Sequence, residues 1–180
     1  MIGYPRNIML ATDGTEDSTR AAHAALALAA SSGAELHVVH VGQSAPSNVS
    51  ATAMRPALPG EPPGYAERQA RLLLDRQVGE IRAAGGSITE AHLKMGRPAA
   101  EVIALAAEAG ADMLVIGSGG PHQMRRAVAA TTRRAALGKV ADAIVRTAPC
   151  PVLVVRGDGA PGGEGAGRAA AGENQGPQGG

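Results

Sequence analysis

The chain has 180 residues, a formal net charge of +1 and 44% hydrophobic residues, with no Phe, no Trp and two Tyr. That length holds one domain of about 150 residues with an appendage. The near-neutral charge offers no field for steering to nucleic acid or an anionic membrane, and the missing aromatics remove the rings on which single-stranded bases stack.

Asn7–Thr12 (NIMLAT) reads as a short apolar strand ending at Asp13-Gly14. Thr15 is placed to cap a helix whose first turn carries Glu16 and Asp17, which suit the positive end of its dipole. The helix runs to about Ser31 and stops at Gly33, before a second strand, Glu35–Val41. Gly42–Gly64 is rich in Pro, Ser and Gly without periodicity and predicts a long loop. In Ala66–Ala84, Ala70, Leu74, Val78 and Ile81 recur at helical spacing, and Gly85-Gly86 end the helix. Ile88–Met95 alternates Ala91, Leu93 and Met95 with Glu90, His92 and Lys94, which predicts an edge strand with one wet face.

Pro98 opens the next helix, which carries Val102, Ile103 and Ala106 to Gly110. The apolar strand Met113–Ile116 then runs into Gly117-Ser118-Gly119-Gly120. After Pro121–Leu137, Gly138 starts the helix Lys139–Thr147, and Val152–Val155 closes the series as a fifth strand. Five strands alternating with helices predict an α/β fold: a single doubly wound parallel sheet, order 3-2-1-4-5, with helices on both faces. The domain is expected to span residues 1–156, and the Gly-rich tail 157–180 to be disordered.

Ligands of such sheets sit where the strand order reverses, here between the strands ending at Asp13 and Gly117. Glycines at a strand end admit an anion to backbone N–H groups, and a following helix N-terminus adds partial positive charge. The turn Gly117–Gly120 and the start at Gly138 therefore predict a phosphate site. The basic spacer with Arg125, Arg126, Arg133 and Arg134 is either an arginine clamp or a solvated face, and His122 within it reads as an exposed loop residue. Asp13 either meets a ligand hydroxyl or caps the following helix with Thr15.

Val152–Val155 is apolar on both faces yet falls at a sheet edge, which predicts that a second copy covers it in a homodimer. His37 and His40 fall on opposite strand faces, His23 and His92 stand alone, and no zinc-like Cys/His spacing occurs. Lone Cys150, between prolines, makes no intrachain disulfide and is expected to be inert. MIGYPRNIML lacks the apolar length of a signal peptide and no run reaches the ~20 residues of a membrane span, so a cytoplasmic protein is expected.

From Arg6 to Arg156 the chain resembles the universal stress protein family. The resemblance rests on Ala11-Thr12-Asp13-Gly14, His40-Val41, Gly96-Arg97-Pro98, the run Ala111–Ser118 (ADMLVIGS) and the ending Ala148–Val155 (APCPVLVV). It implies ATP or a related adenine nucleotide at the crevice, with Mg2+ only as the nucleotide's companion. Ala11, Thr12 and Asp13 would lie at the ligand, Asp13 bonding ribose hydroxyls. Val41 would offer backbone groups to adenine and Ile116 would pack nearby. Gly117, Ser118, Gly120, Gly138, Lys139 and Val140 would line the phosphates.

The ATP-binding pattern of the family has a glycine, two residues, a glycine, nine residues, then glycine with Ser or Thr. Here the last spacer is eight residues longer, and Lys139 stands where the hydroxyl belongs. The expected role is a nucleotide-responsive stress factor. The alternatives are a nucleotide-free dimeric interaction module and an ATP-hydrolysing or adenylyl-transferring enzyme, slow because the sequence specifies no strong general base.

Overall fold

The computed structural model describes residues 4–43, 62, 64–119 and 137–156. Its elements are β1 (Asn7–Thr12), α1 (Glu16–Ser32), β2 (Glu35–Gly42), α2 (Tyr65–Ala83), β3 (Glu90–Met95), α3 (Pro98–Glu108), β4 (Met113–Gly117), α4 (Lys139–Thr147) and β5 (Val152–Val155). All strand pairs are parallel and the order is β3-β2-β1-β4-β5, as the alternation of elements predicts. The expected loop Gly42–Gly64, apart from its ends, and the expected tail 157–180 lie outside the described residues. So do Gly120, His122 and the arginines of the spacer.

Period-two alternation sends each strand's side chains to two cores. On one face Ile8, Leu10, Leu36, Val38 and Val115 pack on Ala21, Ala22 and Ala25 of α1 and Leu74, Val78 and Ile81 of α2. On the other, Met9, Val39, Leu114 and Ile116 pack on Val102, Leu105 and Ala106 of α3 and Ala141 and Ile144 of α4. Alanine faces let helices approach the sheet closely, so the core closes without aromatic side chains.

Local signals set the boundaries. Thr15 Oγ1 accepts from Ser18 N–H at 3.3 Å, and Gly33, at φ 70°, ends α1 with its N–H on Ala29 O. Gly42 extends β2 one residue beyond the expected strand by pairing with Met95 and accepting from Gly96 N–H, and a side chain there would meet Ala70 Cβ and Met95 Sδ at 2.6 Å. β3 starts at Glu90 rather than Ile88, which packs against the core from the preceding segment.

Two expectations need correction. β3 is at the edge, but its polar side is not simply wet: His92 lies against His37 of β2, and Lys94 pairs with Glu108 at 3.7 Å. His92 is therefore not isolated, since parallel pairing sets His37 opposite Glu90 and brings His92 next to it on the same face. Among the described residues no helix is long and apolar enough to cross a membrane.

Candidate functional site at the carboxyl ends of the strands

A cavity of about 790 Å³ opens where the strand order reverses, between the carboxyl ends of β1 and β4 and beside that of β2. Its size falls within the range of small-molecule sites. Ala11, Thr12 and Asp13 line it from β1, Val41 from β2, Ile116 and Gly117 from β4, and Val140 from α4. Gly119 joins them.

Asp13 is exposed, and Oδ1 accepts from the Thr15 N–H at 3.0 Å and its hydroxyl at 2.6 Å. This turn pins the carboxylate at the head of α1 while Oδ2 keeps no protein partner among the described residues. Thr12 is buried, and its hydroxyl donates to Gln77 Oε1 at 2.8 Å. The hydroxyl is thereby held by α2 rather than presented to a ligand.

Ser118 turns inward. It has no exposed surface, its hydroxyl donates to the buried Asp17 carboxylate at 2.7 Å, and its N–H donates to Val155 O. This ties β4, α1 and β5 together. Its neighbour Gly117 serves the same junction, because a Cβ there would stand 2.8 Å from the Asp17 carbonyl carbon.

The two halves of the glycine pattern, far apart in the chain, touch in the fold. Gly138 N–H donates to Ser118 O at 2.9 Å, and a Cβ on Gly138 would lie 2.8 Å from the Gly119 carbonyl carbon. Gly119 has φ 63°, the left-handed region that glycine enters without a Cβ penalty. The described residues on either side of the spacer thus meet at one point. α4 begins there with no side-chain cap, so its first N–H groups lie at the cavity edge near Val140 and Ala141. Lys139 is exposed on the first turn of α4 and does not line the cavity.

The sequence reading missed the wall from α2, where Tyr65, Leu73 and Arg76 line the cavity. Leu73 and Arg76 are next to the helical stripe read as core. The signal was Gly14: at φ 76° it lies under Leu73 and Arg76, each 3.2–3.3 Å from where its Cβ would be. His40 also lines the cavity, with its Nδ1–H directed at Thr12 O at 2.8 Å.

Fold and crevice together define a doubly wound α/β domain with a cavity at the β1/β4 switch point, where ligands of such sheets sit. The model of the universal stress protein family matches residues 5–156. The Thermus aquaticus protein named "Universal stress protein in QAH/OAS sulfhydrylase 3'region" is 32% identical over 156 residues, covering 84% of this chain and 98% of its own. The chain belongs to the universal stress protein family. A solved universal stress protein in complex with cAMP shares the fold at TM-score 0.59 and 22% identity, covering 83% of this chain and 96% of its own. The Archaeoglobus fulgidus protein in complex with dAMP does so at TM-score 0.56 and 23% identity, covering 86% and 99%.

Proposed function

We propose that this universal stress protein binds an adenine nucleotide, ATP in the first instance, in the β1/β4 crevice and acts as a nucleotide-responsive stress factor. The observation that carries the reading is the meeting of Gly119 with Gly138, which sets an uncapped helix N-terminus at the cavity despite the long spacer. Solved relatives hold cAMP and dAMP, ligands that share with ATP an adenine base on a phosphorylated pentose. In this reading Asp13 Oδ2 meets the ribose hydroxyls, the Val41 backbone meets adenine beside Ile116, and Gly117, Gly119, Gly120, Gly138 and Val140 surround the phosphates. Lys139 supplies a point charge to the outer phosphates from the rim, a role an ammonium fills without copying a hydroxyl. Asp13 Oδ2, the glycine backbone and the helix N–H groups fit a nucleotide, and Mg2+ would enter only with it.

The protein acts in the cytoplasm, where ATP is present and the thiol of Cys150 stays reduced. Burial pushes that thiol above its usual range, which keeps it protonated and unreactive. A second copy pairs along β5, whose free edge carries Leu153, an exposed large apolar side chain. Calorimetric titration with ATP tests the nucleotide reading. Saturable binding by the wild type, weakened in Asp13→Ala, is expected, and no binding at millimolar ATP overturns it.

A further inference from the structure

Toward the amino end of the β2–β3 pair, on residues that do not line the crevice, lies a cluster that no part of the nucleotide reading uses. His37 and His92 face each other with Nδ1 of one 3.3 Å from Nε2 of the other, and their rings are 14° from parallel. The Glu90 carboxylate is 3.7 Å from His92 Nε2, and the Glu35 carboxylate is 3.8 Å from His37 Nε2. One donor atom each from His37, Glu90 and His92 fits within 4.8 Å of the others.

We propose that His37, His92 and Glu90 form a divalent transition-metal site of the zinc class, with Glu35 as the positioning residue for His37. Zn–N bonds of about 2.0–2.1 Å in a tetrahedron put neighbouring donors about 3.3–3.4 Å apart. The two imidazole nitrogens stand at that separation and point nearly head-on, so each ring tilts to turn its lone pair onto the ion. The ion replaces the one proton that the two nitrogens otherwise share. Nitrogen donors with one carboxylate favour zinc over calcium or magnesium, which take oxygen ligands. The fourth position is left to water.

The second observation is the other nitrogen of His37. Nε2 is fully buried and has no hydrogen-bond partner among the described residues. The polar group facing it is the Glu35 carboxylate. Placing the proton on Nε2 aims it at Glu35 and turns the Nδ1 lone pair toward His92. A metal-binding histidine is oriented by a carboxylate on its far nitrogen in this manner. The two glutamates are largely exposed, which gives the ion a way in. Lys94 is two residues along the same face, with its ammonium drawn to Glu108.

The test is calorimetric titration of the untagged, chelator-treated full chain with Zn2+, repeated with Co2+ while recording its visible absorption. The wild type should bind one ion per chain and show the intense bands of tetrahedral Co2+. Glu90→Gln, at an exposed position that leaves the fold intact, should weaken Zn2+ at least about tenfold. Glu35→Gln should weaken it about 10–100-fold through His37 alone. His92→Gln should lose both binding and bands, whereas His23→Gln and Cys150→Ser should keep them. Absence of stoichiometric binding in the wild type, or binding unchanged in Glu90→Gln and His92→Gln, overturns the proposal. ATP titration of the same variants should match the wild type, so failure here leaves the crevice reading untouched.

Discussion

The two ends of the sheet are built in different ways. At the carboxyl ends of β1 and β4, glycines bring backbone close to backbone, and helix N–H groups and one pinned carboxylate stand beside Arg76 and His40 of the cavity wall. At the amino end of the β2–β3 edge, side chains do the work: His37, His92 and two glutamates converge because parallel pairing puts alternate residues on one face. A site made of backbone depends on what is missing from a residue, and one made of side chains depends on register. They should therefore fail differently when mutated.

The largest effect is expected from the backbone end. Gly117→Ala drives a Cβ into the Asp17 carbonyl region, where no flexible atom can yield. Overpacking of this kind costs about 1–3 kcal/mol, or roughly 2–12 °C in Tm for a chain of this length, readable by calorimetric melting. Gly138→Ala meets Gly119 in the same manner and should weaken ATP more than it lowers Tm, because it displaces the start of α4.

Next comes Ser118→Ala, which strips a hydrogen-bond donor from the buried Asp17 carboxylate. A loss of about 1–3 kcal/mol is expected from denaturant unfolding, without direct loss of a ligand contact. An unchanged stability would show that other donors to Asp17 suffice.

Asp13 separates support from recognition. Asp13→Asn keeps an oxygen for the Thr15 N–H and should melt close to the wild type, while Asp13→Ala should cost about 1 kcal/mol. Both should lose ATP affinity, and an Asn variant that binds as well as the wild type would confine Asp13 to the turn.

The smallest effect belongs to the histidine end. Burial, opposed by Glu90 and reinforced by His37 and Lys94, holds His92 below its usual 6.5. The unfolded chain then binds more protons near that pH, so stability is retained above about 6.5 and lost as the pH falls through the lowered value. Urea midpoints of metal-free protein should fall on acidification more in the wild type than in His92→Gln. Parallel curves would remove this group from the account.

What the sequence made legible follows the same division. Local chemistry was readable: the Thr15 cap, the Gly33 stop, Pro98 at a helix start and the apolar strands lead to the sheet order without any distant contact. The crevice was readable in outline because Asp13 and Gly117 end strands on either side of the reversal. The inward turn of Ser118 was not, since its partner Asp17 lies 101 residues away. The wall from α2 was hidden because Leu73 and Arg76 flank a stripe that already explained the helix. The pairing of His37 with His92 was hidden because it depends on register across a crossover of more than fifty residues.

The spacer between Gly120 and Gly138 is the sharpest departure from the family's ATP-binding pattern, and the fold closes it at Gly119–Gly138. Calorimetric titration of the full chain with ATP in the presence of Mg2+ tests whether that closure makes a working site. The account predicts saturable binding of one nucleotide per chain, weakened at least about tenfold, or 1.4 kcal/mol, in Gly138→Ala. No heat of binding at millimolar ATP from well-folded wild-type protein would contradict it.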